Sequence, residues 1–280
     1  MTYPNPRWTA DFEDQVLTKA ARAHLPDFPE NNIGKPREAT SAAEHSALAA
    51  YYISAASHDL YIVQVVAHAL TQPFTQDFDL QVILSRQLGD DGFHAEVEKQ
   101  WAAAHQTAGP VAAINARVHD ALARLGDLPY RSLAGFIAFE FHYEVYEIAR
   151  LKLARRTGNI VDSMTRSFLE GRLGPDEEWH RIQIIEWWLN HLEAQSTSER
   201  KNLIDEVIDA DNEIQLRLHD YLHEKYRSSH DAFGTQLDSY IDIYDGFRKH
   251  TLSALLNIDP EKLPPLRSLG DRSFDRHFSR

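Results

Sequence analysis

The sequence predicts an all-α protein built as an antiparallel bundle of long helices. Apolar residues recur at three- and four-residue steps and do not alternate, so helix fits and strand does not. Gly and Pro are scarce, with 12 of each in 280 residues, which leaves long stretches without a breaker. The breakers that do occur cluster in short segments, and long helices joined by short loops pack as antiparallel neighbours.

The elements follow in order. A short helix from about Pro6 to His24 precedes a Pro-rich loop, LPDFPENNIGKP, ending near Pro36. A long helix spans about Ala39 to Thr71, with Leu48, Tyr52, Ala55, Ile62 and Val66 on one stripe. A second runs from about Asp77 to Gln106, a shorter one from Pro110 to Leu125, and a third long helix, after the GDLPY turn, from Arg131 to Arg156. A helical stretch from Val161 to Glu170 meets an expected break at GRLGP, where Pro175 is suited to the first turn of a helix reaching Glu193. Two amphipathic helices, Ser198 to Arg227 and His230 to Leu256, complete the set. The expectation is one domain over 1–260, followed by an irregular tail over 261–280. Neither a helical-repeat period nor a low-complexity tract is present.

Composition narrows the function. With 43% hydrophobic and 10% aromatic residues there is material for one large core. The net charge of −13 disfavours nucleic acid and acidic membranes, both of which call for a basic face. The absence of Cys removes thiol nucleophiles, disulfides and iron–sulfur clusters, so a metal would be held by oxygen and nitrogen. There is no G-x-G-x-x-G and no P-loop. The start, MTYPNPRWTADFEDQ, lacks the basic and apolar regions of a signal peptide, and no apolar run suits a membrane span, so the cytoplasm is the expected location.

A carboxylate and a His three residues apart share a helix face and can reach one ion. With 15 His and 42 acids, about two such pairs arise by chance, and there are three: Asp91/His94, Glu177/His180 and Asp220/His223. The longer pattern Asp-acid-x-x-His, expected roughly 0.2 times, occurs twice, as Asp90-Asp91-Gly92-Phe93-His94 and Asp176-Glu177-Glu178-Trp179-His180. The extra Asp has a physical use. A metal-bound imidazole donates its other N–H to a carboxylate, and Asp90 or Asp176 can reach the His of the opposing helix. Asp220/His223 lacks the preceding acid and reads as surface, while His68 and His142 read as structural.

Two further helices must each lend a carboxylate at matching depth. Between His45 and Gln76 the first long helix has one, Asp59, which precedes Asp91 by 32 residues, with His58 as its competitor at nearly the same spacing. On the third, Glu144 precedes Glu177 by 33 residues and Glu147 by 30, and Glu140 lies on the same face. The aromatic run Phe136, Phe139, Phe141, Tyr143 and Tyr146 reads first as core. Of Trp187 and Trp188, only one can face the interior, so the other is expected to meet a partner subunit in a homodimer.

These motifs, between about Ala39 and Glu193, resemble the ferritin-like di-iron carboxylate superfamily. The segment GDDGFHAE is similar to phenylacetyl-CoA epoxidase catalytic subunits and bacterial monooxygenases, and PDEEWHR to N-oxygenases. The resemblance rests on motif order and spacing. It implies a ferritin-like four-helix bundle with additional N- and C-terminal helices. It also implies two iron ions, or a manganese–iron pair, held by Asp59, Asp91, His94, Glu144, Glu177 and His180, with Asp90 and Asp176 behind the imidazoles. The activity implied is O2-dependent hydroxylation, epoxidation or N-oxygenation of a small organic substrate, with electrons from a separate reductase or ferredoxin. The alternative is a ferroxidase or peroxide-scavenging protein, because the pair Glu144 and Glu147 is similar to rubrerythrins, whose extra glutamate lies three residues on.

Overall fold

The computed structural model describes residues 39–106, 108–157, 168–234 and 237–270. The expected helix from Pro6 to His24, the Pro-rich loop after it, most of the stretch from Val161 to Glu170, and residues 271–280 lie outside them.

The described residues contain eight helices and no strand. Helix α1 (Ala42–Ala69) is capped by Ser41, whose hydroxyl accepts the Glu44 N–H, and a 3-10 turn at Pro73–Thr75 leads to α2 (Phe78–His105), capped by Asp77 on the Leu80 N–H. After α3 (Val111–Leu125) and the single turn α4 (Leu128–Arg131) comes α5 (Leu133–Thr157). A π turn at Leu169–Leu173 runs into α6 (Gly174–Glu193), followed by α7 (Thr197–Phe233), opened by a Ser196/Glu199 capping box, and α8 (Leu237–Leu256).

Helices α1 and α2 are antiparallel. The turn joins them at one end, while at the other Tyr52 stacks on His105 and meets Trp101 edge-on at 5.4 Å. Helix α6 packs on α2 and α5, α3 on α1, and α7 and α8 cover α5. The stripe Leu48, Tyr52, Ala55, Ile62 and Val66 is buried, as is every residue of α5 from Ala134 to Tyr146. A helix enclosed on all sides must satisfy any acid it carries from within the protein, and α5 carries Glu140 and Glu144.

Two expected breaks are absent. The GRLGP segment does not interrupt the chain: helical backbone runs unbroken from Phe168 to Glu193, and Gly174 N–H bonds to the Leu169 carbonyl across the π turn. An α-helix would press the Pro175 ring against the carbonyl four residues back, and the wider π turn relieves that conflict. Likewise the helix expected to end at Arg227 continues to Phe233, where Gly234, at φ 68°, supplies the left-handed cap that stops it.

At the α4–α5 corner, a Cβ on Gly135 would fall 2.6 Å from the Leu128 backbone oxygen. Gly135→Ala is therefore expected to cost about 1–3 kcal/mol, lowering the thermal midpoint by several degrees in a calorimetric scan.

Past α8 and a 3-10 turn at Pro260–Lys262, residues 263–270 lack helix, yet Leu269 is buried. Its N–H donates to Asp245 at 2.9 Å, and His223 Nε2 donates to its carbonyl at 2.7 Å. His223 thus serves the fold, while Asp220 is half-buried and lies 3.8 Å from Arg124 Nη1. No helix among the described residues is long and apolar enough to cross a membrane.

Candidate metal centre

Four helices point acids and imidazoles at one buried region. Helix α2 supplies Asp90, Asp91 and His94; α6 supplies Asp176, Glu177 and His180; α5 supplies Glu140 and Glu144; and α1 supplies Asp59, all of them buried. The three- and four-residue spacings keep each set on one helix face.

Two triads form. Asp91, His94 and Glu177 offer ligand atoms that lie within 4.8 Å of one another, and so do Glu144, Glu177 and His180. Glu177 belongs to both. Each imidazole turns Nδ1 inward: His94 Nδ1 is 3.3 Å from Glu177 Oε1 and 3.8 Å from Asp91 Oδ1, and His180 Nδ1 is 3.6 Å from Glu144 Oε1 and 3.9 Å from Glu177 Oε2.

The outer nitrogens cross the bundle. His94 Nε2 lies 3.1 Å from Asp176 Oδ2, and His180 Nε2 lies 3.3 Å from Asp90 Oδ2. An imidazole donating from Nε2 to a carboxylate keeps its Nδ1 lone pair for a metal. Tyr143 closes the inner side, its hydroxyl donating to Asp91 Oδ1 at 3.1 Å and reaching Glu177 Oε1 at 3.5 Å.

The inward atoms have the character of metal ligands. Asp91 Oδ2, both Glu144 oxygens, Glu177 Oε2 and both Nδ1 atoms are buried and make no hydrogen bond. Among the described residues, no Lys or Arg pairs with Asp91, Glu140, Glu144 or Glu177. Burying several carboxylates without a cation is costly, and oxygen and imidazole donors suit a divalent transition metal. The residues therefore fit a metal, and the two triads can hold one.

The electrostatics agree. Burial pushes the carboxyls of Asp91 and Glu144 well above the usual range, and the charge of Glu177 adds to it. Burial acts on Glu177 in the same direction, but the two imidazoles outweigh it and hold that carboxyl at about 2. The surrounding carboxylates raise both imidazoles well above their ordinary value despite their burial. Asp90 stays at about 2 against its own burial, through His180, His94 and Arg172.

Glu140, one turn before Glu144, joins neither triad, and burial lifts its carboxyl to about 7 against the pull of Gln87 and His180. A carboxyl raised on folding stabilises the fold while protonated, and that contribution fades as pH climbs from the unfolded value of 4.5 through 7. In metal-free protein, Glu140→Gln should accordingly raise stability at pH 8 by up to about 3 kcal/mol and leave pH 4 nearly unchanged, as read by denaturant titration.

The remaining sequence candidates sort as follows. Asp59 is buried and close enough for its charge to act on Tyr143, but it joins neither triad. His58 packs among the rings of Tyr61, Tyr143 and Tyr146 at 4.6–5.3 Å. The Glu147 side chain lies outside the described residues. His142 hydrogen-bonds Gln215 at 2.8 Å and Tyr244 at 2.9 Å, far from a ligand role, and His68 packs on Tyr130. Trp188 is buried, and Trp187 is partly covered, with its indole N–H on Asp77 Oδ1 at 2.8 Å.

Sequence reasoning missed Arg172, which sits in the segment read as a break. Its Nη2 donates to Asp90 Oδ1 at 3.2 Å and its Nε lies 2.9 Å from Asp176 Oδ2. Its place four residues before Asp176 was the available signal, but that spacing puts the two on one face only if the helix is continuous.

Fold and site together define an all-helical protein with buried Asp/Glu/His clusters able to hold a metal ion. No family model, curated protein or solved structure matches the chain closely enough to assign it to a particular family.

Proposed function

We propose that the chain is a ferritin-like four-helix-bundle oxidoreductase that binds two iron ions and acts with O2 on a small organic substrate. The observation carrying this reading is the sharing of Glu177 by two triads, each completed by an acid and an inward-facing imidazole. Asp91, His94 and Glu177 would hold one ion and Glu144, Glu177 and His180 the other, with Asp59 as the carboxylate nearest to completing the set from α1. An iron pair held there would supply two-electron reduction of O2, with the electrons coming from a separate reductase or ferredoxin.

The chain's own residues prepare that site. Asp176 and Asp90 fix the imidazole rings, and the hydroxyl of Tyr143 orients Asp91. Phe168 packs edge-on to His94 at 5.8 Å, and the buried α5 excludes water along the inner side.

The second reading is iron handling, as ferroxidase or peroxide scavenger, and it draws on Glu140, a buried carboxylate beyond those the triads use. Anaerobic Fe(II) loading followed by O2 mixing separates the two. About two irons per chain, with a transient visible band whose decay one class of added substrate hastens, supports the oxygenase. Oxidation of many irons per chain supports iron handling, and absence of iron uptake overturns both.

A further inference from the structure

Among the described residues, Arg172 touches both carboxylates behind the imidazoles. It reaches Asp90 Oδ1 at 3.2 Å and Asp176 Oδ2 at 2.9 Å, and its side chain is 13% exposed. Asp90 holds His180, and Asp176 holds His94. The chain of contacts therefore runs His94–Asp176–Arg172–Asp90–His180, and it joins one triad to the other by the outside of the bundle as Glu177 joins them by the inside.

From this geometry we infer that Arg172 is a positioning residue that sets both imidazoles together, making the two metal positions depend on one guanidinium. The inference concerns how the proposed metal site is held and rests on that reading. Each Asp has a separate task and Arg172 has a common one. A guanidinium is planar and offers several N–H donors in a fixed fork, so one Arg can serve two carboxylates at once, whereas the ammonium of Lys is a point charge. Arg86 meets Asp90 from another side, at 3.5 Å from its Oδ2, with its guanidinium stacked 3.8 Å over the Trp179 ring. The place of Arg172 in the π turn, with Phe93 beneath its guanidinium at 5.0 Å, keeps the fork between the two helices.

The test compares Arg172→Gln, Arg172→Lys, Asp90→Asn and Asp176→Asn in full-length protein, with circular dichroism confirming helix content. In metal-free protein, nitrogen-15 NMR should show, among the hydrogen-bonded imidazole N–H signals, one each for His94 and His180. Asp90→Asn should shift the His180 signal and Asp176→Asn the His94 signal, while Arg172→Gln should shift both and Arg172→Lys restore neither fully. Calorimetric titration with Co(II) should then show both binding steps weakened about 10-fold or more in Arg172→Gln, against one dominant step in each Asp variant. A single shifted imidazole, or Co(II) binding in Arg172→Gln equal to wild type, overturns the inference. If the wild-type protein takes up no Co(II), the metal reading fails, and the NMR comparison still decides the role of Arg172.

Discussion

Glu177→Gln is expected to remove both metal positions at once. Glu177 is the one residue common to the two triads, and each of its oxygens faces a different imidazole: Oε1 lies 3.3 Å from His94 Nδ1 and Oε2 lies 3.9 Å from His180 Nδ1. An amide of the same shape keeps the packing but replaces one ligand oxygen with a donor and removes the charge. Loss of a group merely supporting a ligand costs about 10–100-fold in metal affinity, so loss of a shared ligand should cost more than about 100-fold at each position. Metal analysis after Fe(II) or Co(II) loading should fall from about two ions per chain to near zero. Glu186→Gln, an exposed acid on the same helix, should leave uptake unchanged. Retention of one ion by Glu177→Gln would show that the triads are independent.

The second large effect is the dependence of stability on metal and pH together. Without metal, Asp91 and Glu144 have carboxyls raised by burial and by the neighbouring Glu177, and Glu140 has one lifted to about 7. Each binds more protons folded than unfolded, so each contribution to stability is present at low pH and is lost as pH rises through its folded value. His94 and His180, also raised, carry the same sign: their contribution is full below the ordinary imidazole value and is lost at high pH. Glu177 and Asp90, held at about 2, act oppositely but weaken only in strong acid. Metal-free protein should therefore lose stability steadily as pH rises from about 5 to 9. Divalent metal bound at the proposed site would displace those protons. At a free concentration about 1,000 times the dissociation constant it should add about 4 kcal/mol, an upward shift of roughly 10 °C in thermal midpoint. The gap between chelated and loaded protein should widen with pH, and loading should release protons into a weakly buffered solution. An equal gap at pH 6 and pH 9 would contradict the account.

Much of the architecture was legible because helical periodicity and capping are local. The helices read at Ala39–Thr71, Asp77–Gln106 and Pro110–Leu125 formed within a few residues of those limits, since Ser41, Asp77 and Gly126 mark their ends. The two breaks that did not form, at GRLGP and after Arg227, are cases where packing overrode a local signal. At GRLGP a Gly or Pro lowers helix propensity by about 1–3 kcal/mol, which the burial of Leu169 and Leu173 and their neighbours offsets, and after Arg227 the helix runs on through the buried Ser229.

The candidate site divides in the same way. Sequence by itself determined which residues share a helix face, because 3.6 residues per turn places Asp91 beside His94 and Glu177 beside His180. The near-equal intervals of 32 and 33 residues marked Asp59 and Glu144 as the acids at matching depth. Only the tertiary structure decided how those faces meet. It made Glu177 common to both triads, left Asp59 outside them, set Tyr143 on Asp91, and brought Arg172 onto Asp90 and Asp176, 82 and 4 residues away in sequence. The physical reason is that contacts across helices depend on rotation and rise at the packed interface, and neither is written in the period of a single helix.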